Sequence, residues 1–140
     1  MNETEETFVR TFITKEKQNR WLSLLPLKKG RSKMLSRFAH IFVDDVRQKF
    51  LHNRDSLTRE VAHQIEKVLD VWKKANPEQL CHIMAYNHKI DGQRMNFAGA
   101  EASYGLTFGG VIIVVPNKLA FYYTERSNIN KEPFYVLFNP

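Results

Sequence analysis

Few side chains in this sequence have the type and spacing that chemistry needs. His82 and His88 are six apart, which puts them on one side of an extended strand but matches no metal-ligand spacing. His40 and Asp44 have helical i,i+4 spacing with Asp45 adjoining, a donor set that could hold a divalent ion. No second cluster supports it, and a cap followed by a turn explains the same residues, so no metal and no cofactor is expected. Cys81 is the single cysteine. It lies in an apolar, β-branched run where a thiol acts as a small core hydrophobe, and its neighbour His82 points to the opposite face. The glycines of Gly105-Leu106-Thr107-Phe108-Gly109-Gly110 precede a strand instead of following one into a helix, which is the wrong order for a phosphate loop. Asp91 with Asn117 and Lys118 has one of the two acids that a metal-dependent nuclease site requires. Asp91, Glu101, Glu125 and Glu132 fall in separate segments, so no carboxylate pair can be assigned to acid/base work.

Charge is more informative. The 140 residues carry 21 Lys+Arg against 15 Asp+Glu, a formal net charge of +6, and the excess is concentrated. Between Arg10 and Lys49 eleven cations face only Glu16, Asp44 and Asp45, whereas residues 76–140 are balanced. Such a local excess suits a polyanionic partner, although solvated helices rich in Lys and Arg also produce it. The candidate contact residues are Lys15, Arg20, Lys28, Lys29, Arg31, Lys33, Ser36, Arg37 and His40. Lys33 and Arg37 are expected to face outward on a helix.

The elements that must position these residues change character near Pro77. Before it the periodicity is helical. Leu57, Val61, Ile65, Val68, Leu69 and Trp72 share one face of a helix from about Leu57 to Lys74, with Ser56 as its cap and Asn76-Pro77 as its stop. Trp21, Leu22, Leu24 and Leu25 form the apolar side of a helix over Lys15–Leu25, capped by Thr14 and ended by Pro26. Met34, Leu35, Phe38, Ala39, Ile41 and Phe42 do the same for Ser32–Phe42, which leaves Ser32, Lys33, Ser36, Arg37 and His40 on its polar side. Phe8, Val9, Phe12 and Ile13 give Glu5–Ile13 helical spacing as well.

After Pro77 the runs are short, β-branched and aromatic. Strands are predicted at Cys81–Tyr86, Val111–Val115, Leu119–Thr124 and Phe134–Phe138, the last three as an antiparallel meander with a tight turn at Pro116-Asn117-Lys118 and a polar loop at Arg126–Pro133. Met95–Ser103 reads as a short helix ended by Gly105. The fold class is α+β: N-terminal amphipathic helices, about residues 5–75, packed on a mainly antiparallel sheet of about four strands in residues 80–140, as a single domain spanning 1–140. Val111–Val115 and Phe134–Phe138 are apolar on both faces, so both faces of the sheet need cover. Residues 87–109, with Phe97, Tyr104, Leu106 and Phe108, are expected to supply the second cover, ahead of a homodimer through the sheet.

The expected role is a small non-catalytic binding or regulatory module whose basic helical surface meets a polyanion, with nucleic acid as the partner. Lys15–Leu25 and Ser32–Phe42, separated by a break at Pro26–Gly30, form a pair compatible with a helix-turn-helix in which Gly30 lies in the connection and the second helix reads. Two alternatives stand beside it: a protein-interaction subunit or homodimer formed through the apolar sheet, and a small enzyme using His82, His88, Asp91 and Arg94 within residues 82–110. A single cysteine, an acidic start at Glu3, Glu5 and Glu6 and the lack of a long apolar run point to a cytoplasmic protein with no membrane partner.

Overall fold

A computed structural model describes residues 1–39, 41–78, 80–104, 109–124 and 135–140, apart from the side chains of Ser103 and Tyr104. Helices precede strands, and the class is α+β.

The first helix, α1 (Glu3–Phe12), starts where the Asn2 side chain accepts the Glu5 N–H at 2.9 Å, with Glu3, Glu5 and Glu6 at the positive end of the helix dipole. It ends at Ile13, and α2 (Lys15–Leu24) begins two residues later. Thr14 stands at the cap position of α2 without a side-chain capping bond; its N–H instead donates to the Asp45 carbonyl at 2.8 Å.

The next helix departs from the sequence reading. α3 (Lys28–Leu35) starts four residues earlier than Ser32, so Gly30 lies inside it and not in the connection. The reason is packing. A Cβ on Gly30 would lie 2.5 Å from the Leu24 carbonyl oxygen, so only glycine lets α3 cross the end of α2 this closely. The predicted helix to Phe42 also breaks. The Ser36 hydroxyl donates to the Lys33 carbonyl, the chain tightens into a 3-10 turn at Ser36–Ala39, and a one-turn helix, α4 (Phe42–Asp45), follows.

Strand β1 (Leu51–Asn53) leads through a 3-10 turn at Arg54–Ser56 into the long helix α5 (Arg59–Ala75). Its cap is Thr58, whose hydroxyl accepts the Val61 N–H at 3.2 Å, and not Ser56, which is used in the preceding turn. Then come β2 (Leu80–Ala85), β3 (Arg94–Asn96), α6 (Phe97–Tyr104), β4 (Gly110–Val115), β5 (Leu119–Tyr123) and β6 (Tyr135–Phe138).

All strand pairs are antiparallel, in the order β1-β6-β5-β4-β2-β3. The four predicted strands are the central four, and β4-β5-β6 is the predicted meander with its turn at residues 116–118. The two edge strands, β1 and β3, were not anticipated, because three residues are too few to show alternation. The predicted loop at Arg126–Pro133, the start of the last strand at Phe134 and the helix end at Gly105 lie outside the described residues.

The period of two sorts the strand residues between two cores. Met84, Val111, Ile113, Ala120, Tyr122 and Leu137 face α1 to α4, where Phe8, Phe12, Trp21, Phe38 and Phe42 pack. Ile83, Ile112, Val114, Phe121, Tyr123 and Val136 face α5 and α6. The second cover is thus mainly α5, through Ile65 and Trp72, with α6 adding Ala100, and Phe97, whose ring lies 5.3 Å from that of Phe121. Leu106 and Phe108, expected to share this task, lie outside the described residues, as does the Tyr104 side chain. The apolar strands are satisfied on both faces by helices of the same chain. No described helix is long and apolar enough to cross a membrane.

Candidate functional site

The basic segment resolves into α2, α3 and the turns after them, and its cations divide into two groups. One group is consumed internally. Arg31, on α3, reaches back to α1 and across to the loop between β2 and β3. Its Nη1 and Nη2 donate to Glu5 at 2.7 Å each, while Nε and Nη2 donate to Asp91 at 2.6 and 2.9 Å. Two forked carboxylate contacts take four of its five N–H groups and its charge, and both carboxylates push its pKa up. Arg37 is likewise taken by Asp45, through Nε and through Nη2 at 2.6 Å. The expectation that Arg37 faces solvent beside Lys33 is therefore overturned: its side chain is 19% exposed and covers a carboxylate that is 0% exposed.

Asp45 is the hub of this second network, since the Lys17 ammonium donates to it at 2.9 Å and the Trp21 indole N–H at 3.0 Å. Burial alone would raise the Asp45 pKa, but the hydrogen bonds from Arg37, Lys17 and Trp21 outweigh it and the carboxyl is held below its ordinary range. Glu5 behaves the same way. Burial raises its pKa, the bonds and charge of Arg31 and His82 lower it further, and it settles at about 2.

The second group is free. Lys15, Arg20, Lys28, Lys29 and Lys33 are exposed, and among the described residues none of them meets a carboxylate. Ser36 is exposed too, with its hydroxyl bonded to the Lys33 carbonyl. His40 lies outside the described residues. Because Gly30 lies within α3, the two basic helices are joined by Leu25, Pro26 and Leu27 alone and are packed on each other. The free cations thus stand on one framed helix pair. Arg31 bolts α3 to α1 and to the β2–β3 loop, and Lys17 and Trp21 bolt α2 to α4.

No family model, curated protein or solved structure matches this chain.

Of the residues considered for an enzyme, the structure unites His82 and Asp91 but through groups from the other half of the chain. His82 Nε2 lies 2.7 Å from Glu5 Oε2, and Asp91 Oδ1 also accepts the Ala85 N–H at 3.1 Å. Glu5, Arg31, His82 and Asp91 line an open cavity of about 480 Å³ beneath the start of α1. His88 is exposed and outside this group, and Arg94 donates to the Thr4 hydroxyl at 3.3 Å. His82 Nδ1 is buried with no protein partner. The cluster joins α1, α3, β2 and the β2–β3 loop, and each of its carboxylate oxygens already accepts from Arg31.

Asp45 is spent on Arg37, Lys17 and Trp21, and among the described residues no group of three or more His, Cys, Asp or Glu side chains could hold a metal ion. Burial pushes the Cys81 thiol up to about 12, so it stays protonated at neutral pH and is a poor nucleophile.

Sequence reasoning missed Glu5 and Asp45 as the acids that remove two candidate contacts. Glu5 carries a recoverable signal, because it shares the helical face of Phe8, Val9 and Phe12, where an acid must find a partner. Asp45 carries none, since its burial depends on the break of the helix at Ser36.

Proposed function

We propose that this protein is a non-catalytic binding module whose α2–α3 surface engages the phosphates of a nucleic acid. One observation supports the reading above the others: five exposed cations stand on two adjoining helices whose only acid is Glu16, and none of the five is neutralised by a described carboxylate. The contact set is Lys15, Arg20, Lys28, Lys29 and Lys33, with Ser36 beside them. Arg31 and Arg37 are reassigned from contact to support.

Lysine and arginine that are already paired gain little from a phosphate, because the internal carboxylate must first be given up. Unpaired, solvated cations gain by releasing the counterions condensed on the nucleic acid. Four or five such contacts make affinity fall about 150- to 500-fold between 50 and 200 mM salt, from a slope of about −0.9 per contact. Fluorescence anisotropy with labelled oligonucleotides measures this directly, and no binding at 50 mM salt would remove the reading.

A further inference from the structure

We infer that the nucleic acid taken by this surface is a duplex, held through its backbone with little regard to sequence. The inference rests on the reading above and follows from what the surface offers and what it withholds.

Proteins that hold single strands combine cations with rings on which unpaired bases stack, and the stacking repays the ordering of a flexible chain. Here the only aromatic on α2 and α3 is Trp21, which is 0% exposed and gives its N–H to Asp45. The sheet offers no platform either, since Phe121, Tyr122 and Tyr123 are buried under helices. Tyr86, 46% exposed after the end of β2, is the one exposed Phe, Tyr or Trp ring among the described residues.

Base-edge readout is also poorly provided. The Ser36 and Ser23 hydroxyls donate to backbone carbonyls, and Arg31 and Arg37 are held by carboxylates, which leaves Asn19 and Arg20 of α2 as the exposed side chains of the types that read adenine and guanine edges. What remains is an array of point charges on a frame that cannot easily rearrange. Gly30 holds α3 against α2, while Arg31 and Asp45 tie both helices to the rest of the fold. Four lysines and Arg20 on a fixed helix pair match a polyanion whose phosphates are themselves fixed. A duplex provides one charge per about 1.7 Å of axis, about twice the density of one of its strands, without any ordering of the bases.

The test is titration of the full chain, by anisotropy at 50 and 200 mM salt, with two 20-base-pair duplexes of unrelated sequence and with each of their separated strands. The duplexes are expected to bind alike within about two-fold and at least about ten-fold more tightly than the strands, with Tyr86→Ala changing neither. Lys29→Ala and Lys33→Ala should each lower the duplex salt slope by about 0.9. Strands that bind as well as duplexes, a ten-fold preference between the two duplexes, or a loss of affinity in Tyr86→Ala would overturn the inference while leaving nucleic-acid binding standing. Binding to neither form would overturn both.

Discussion

The two covers of the sheet are built from different physics. The α1–α4 layer packs an apolar core of Phe8, Phe12, Trp21, Phe38 and Phe42 and is tied down by charge as well: Asp45 gathers Arg37, Lys17 and Trp21, and Arg31 bridges Glu5 and Asp91, with His82 on Glu5. The α5 layer lies on its face through Ile65 and Trp72, with Leu57, Val61, Val68 and Leu69 around them. A long helix with one apolar stripe needs no more than area to dock. Four short helices expose many turns and ends, and directional bonds are what fix their order. Basic residues in the first layer therefore fall into two kinds, those paired with an internal carboxylate and those left to solvent. The same stretch that supplies the free lysines also supplies the cations that neutralise its own buried acids.

The largest expected effect tests the charge-bolted layer. Arg31→Met leaves Glu5 and Asp91 without their counter-charge in a site where Glu5 is 2% exposed, and should lower the unfolding free energy by about 3–5 kcal/mol in urea titration. A loss below about 1 kcal/mol would show that these bonds merely decorate a layer held by its apolar residues.

On the opposite cover Ile65→Ala removes buried carbons without disturbing any charge and is expected to cost about 2–4 kcal/mol. The informative contrast is pH. The Ile65→Ala loss should be the same at pH 7 and pH 4, whereas the Arg31→Met loss should shrink as the carboxylates it strands become protonated.

That pH dependence can be followed in the unaltered protein. Glu5 has its carboxyl at about 2 in the fold against an ordinary 4.5, so its stabilisation is complete above the unfolded value and is lost as pH falls from about 5 towards 2. The amount is on the order of 3 kcal/mol for Glu5, with Asp45 adding in the same direction. Glu5→Gln should flatten part of the acid limb of a stability-against-pH curve. Hydrogen exchange at pH 3 sharpens the point: amides of α1–α4 should open before those of α5, and the reverse order would break the distinction between the layers.

The sequence made the apolar architecture legible and the polar architecture hardly at all. The stripe of α5 and the β-branched runs of β2, β4, β5 and β6 are local patterns, and each appears where its spacing puts it. The start of α3 was hidden because Gly30 resembles a turn residue and is in fact a point of close helix contact. The division of the candidate site was hidden for a related reason. Whether Arg31 or Lys33 is free depends on Asp91, sixty residues beyond Arg31, and on Glu5 two helices back, and no local period records such a meeting.

The smallest effect on stability is expected where the proposed contact sits. Lys29→Ala combined with Lys33→Ala removes two exposed cations with no described carboxylate partner, and its unfolding free energy should stay within about 0.5 kcal/mol of the parent. Arg37→Ala, from the same basic segment, leaves Asp45 with only Lys17 and Trp21 and should cost several times more, on the order of 2–4 kcal/mol. If the two variants lose equal stability, the partition of cations into free and internal groups is wrong. If the lysine pair lowers nucleic-acid affinity at unchanged stability while Arg37→Ala lowers stability first, binding and folding are carried by different cations of the same segment.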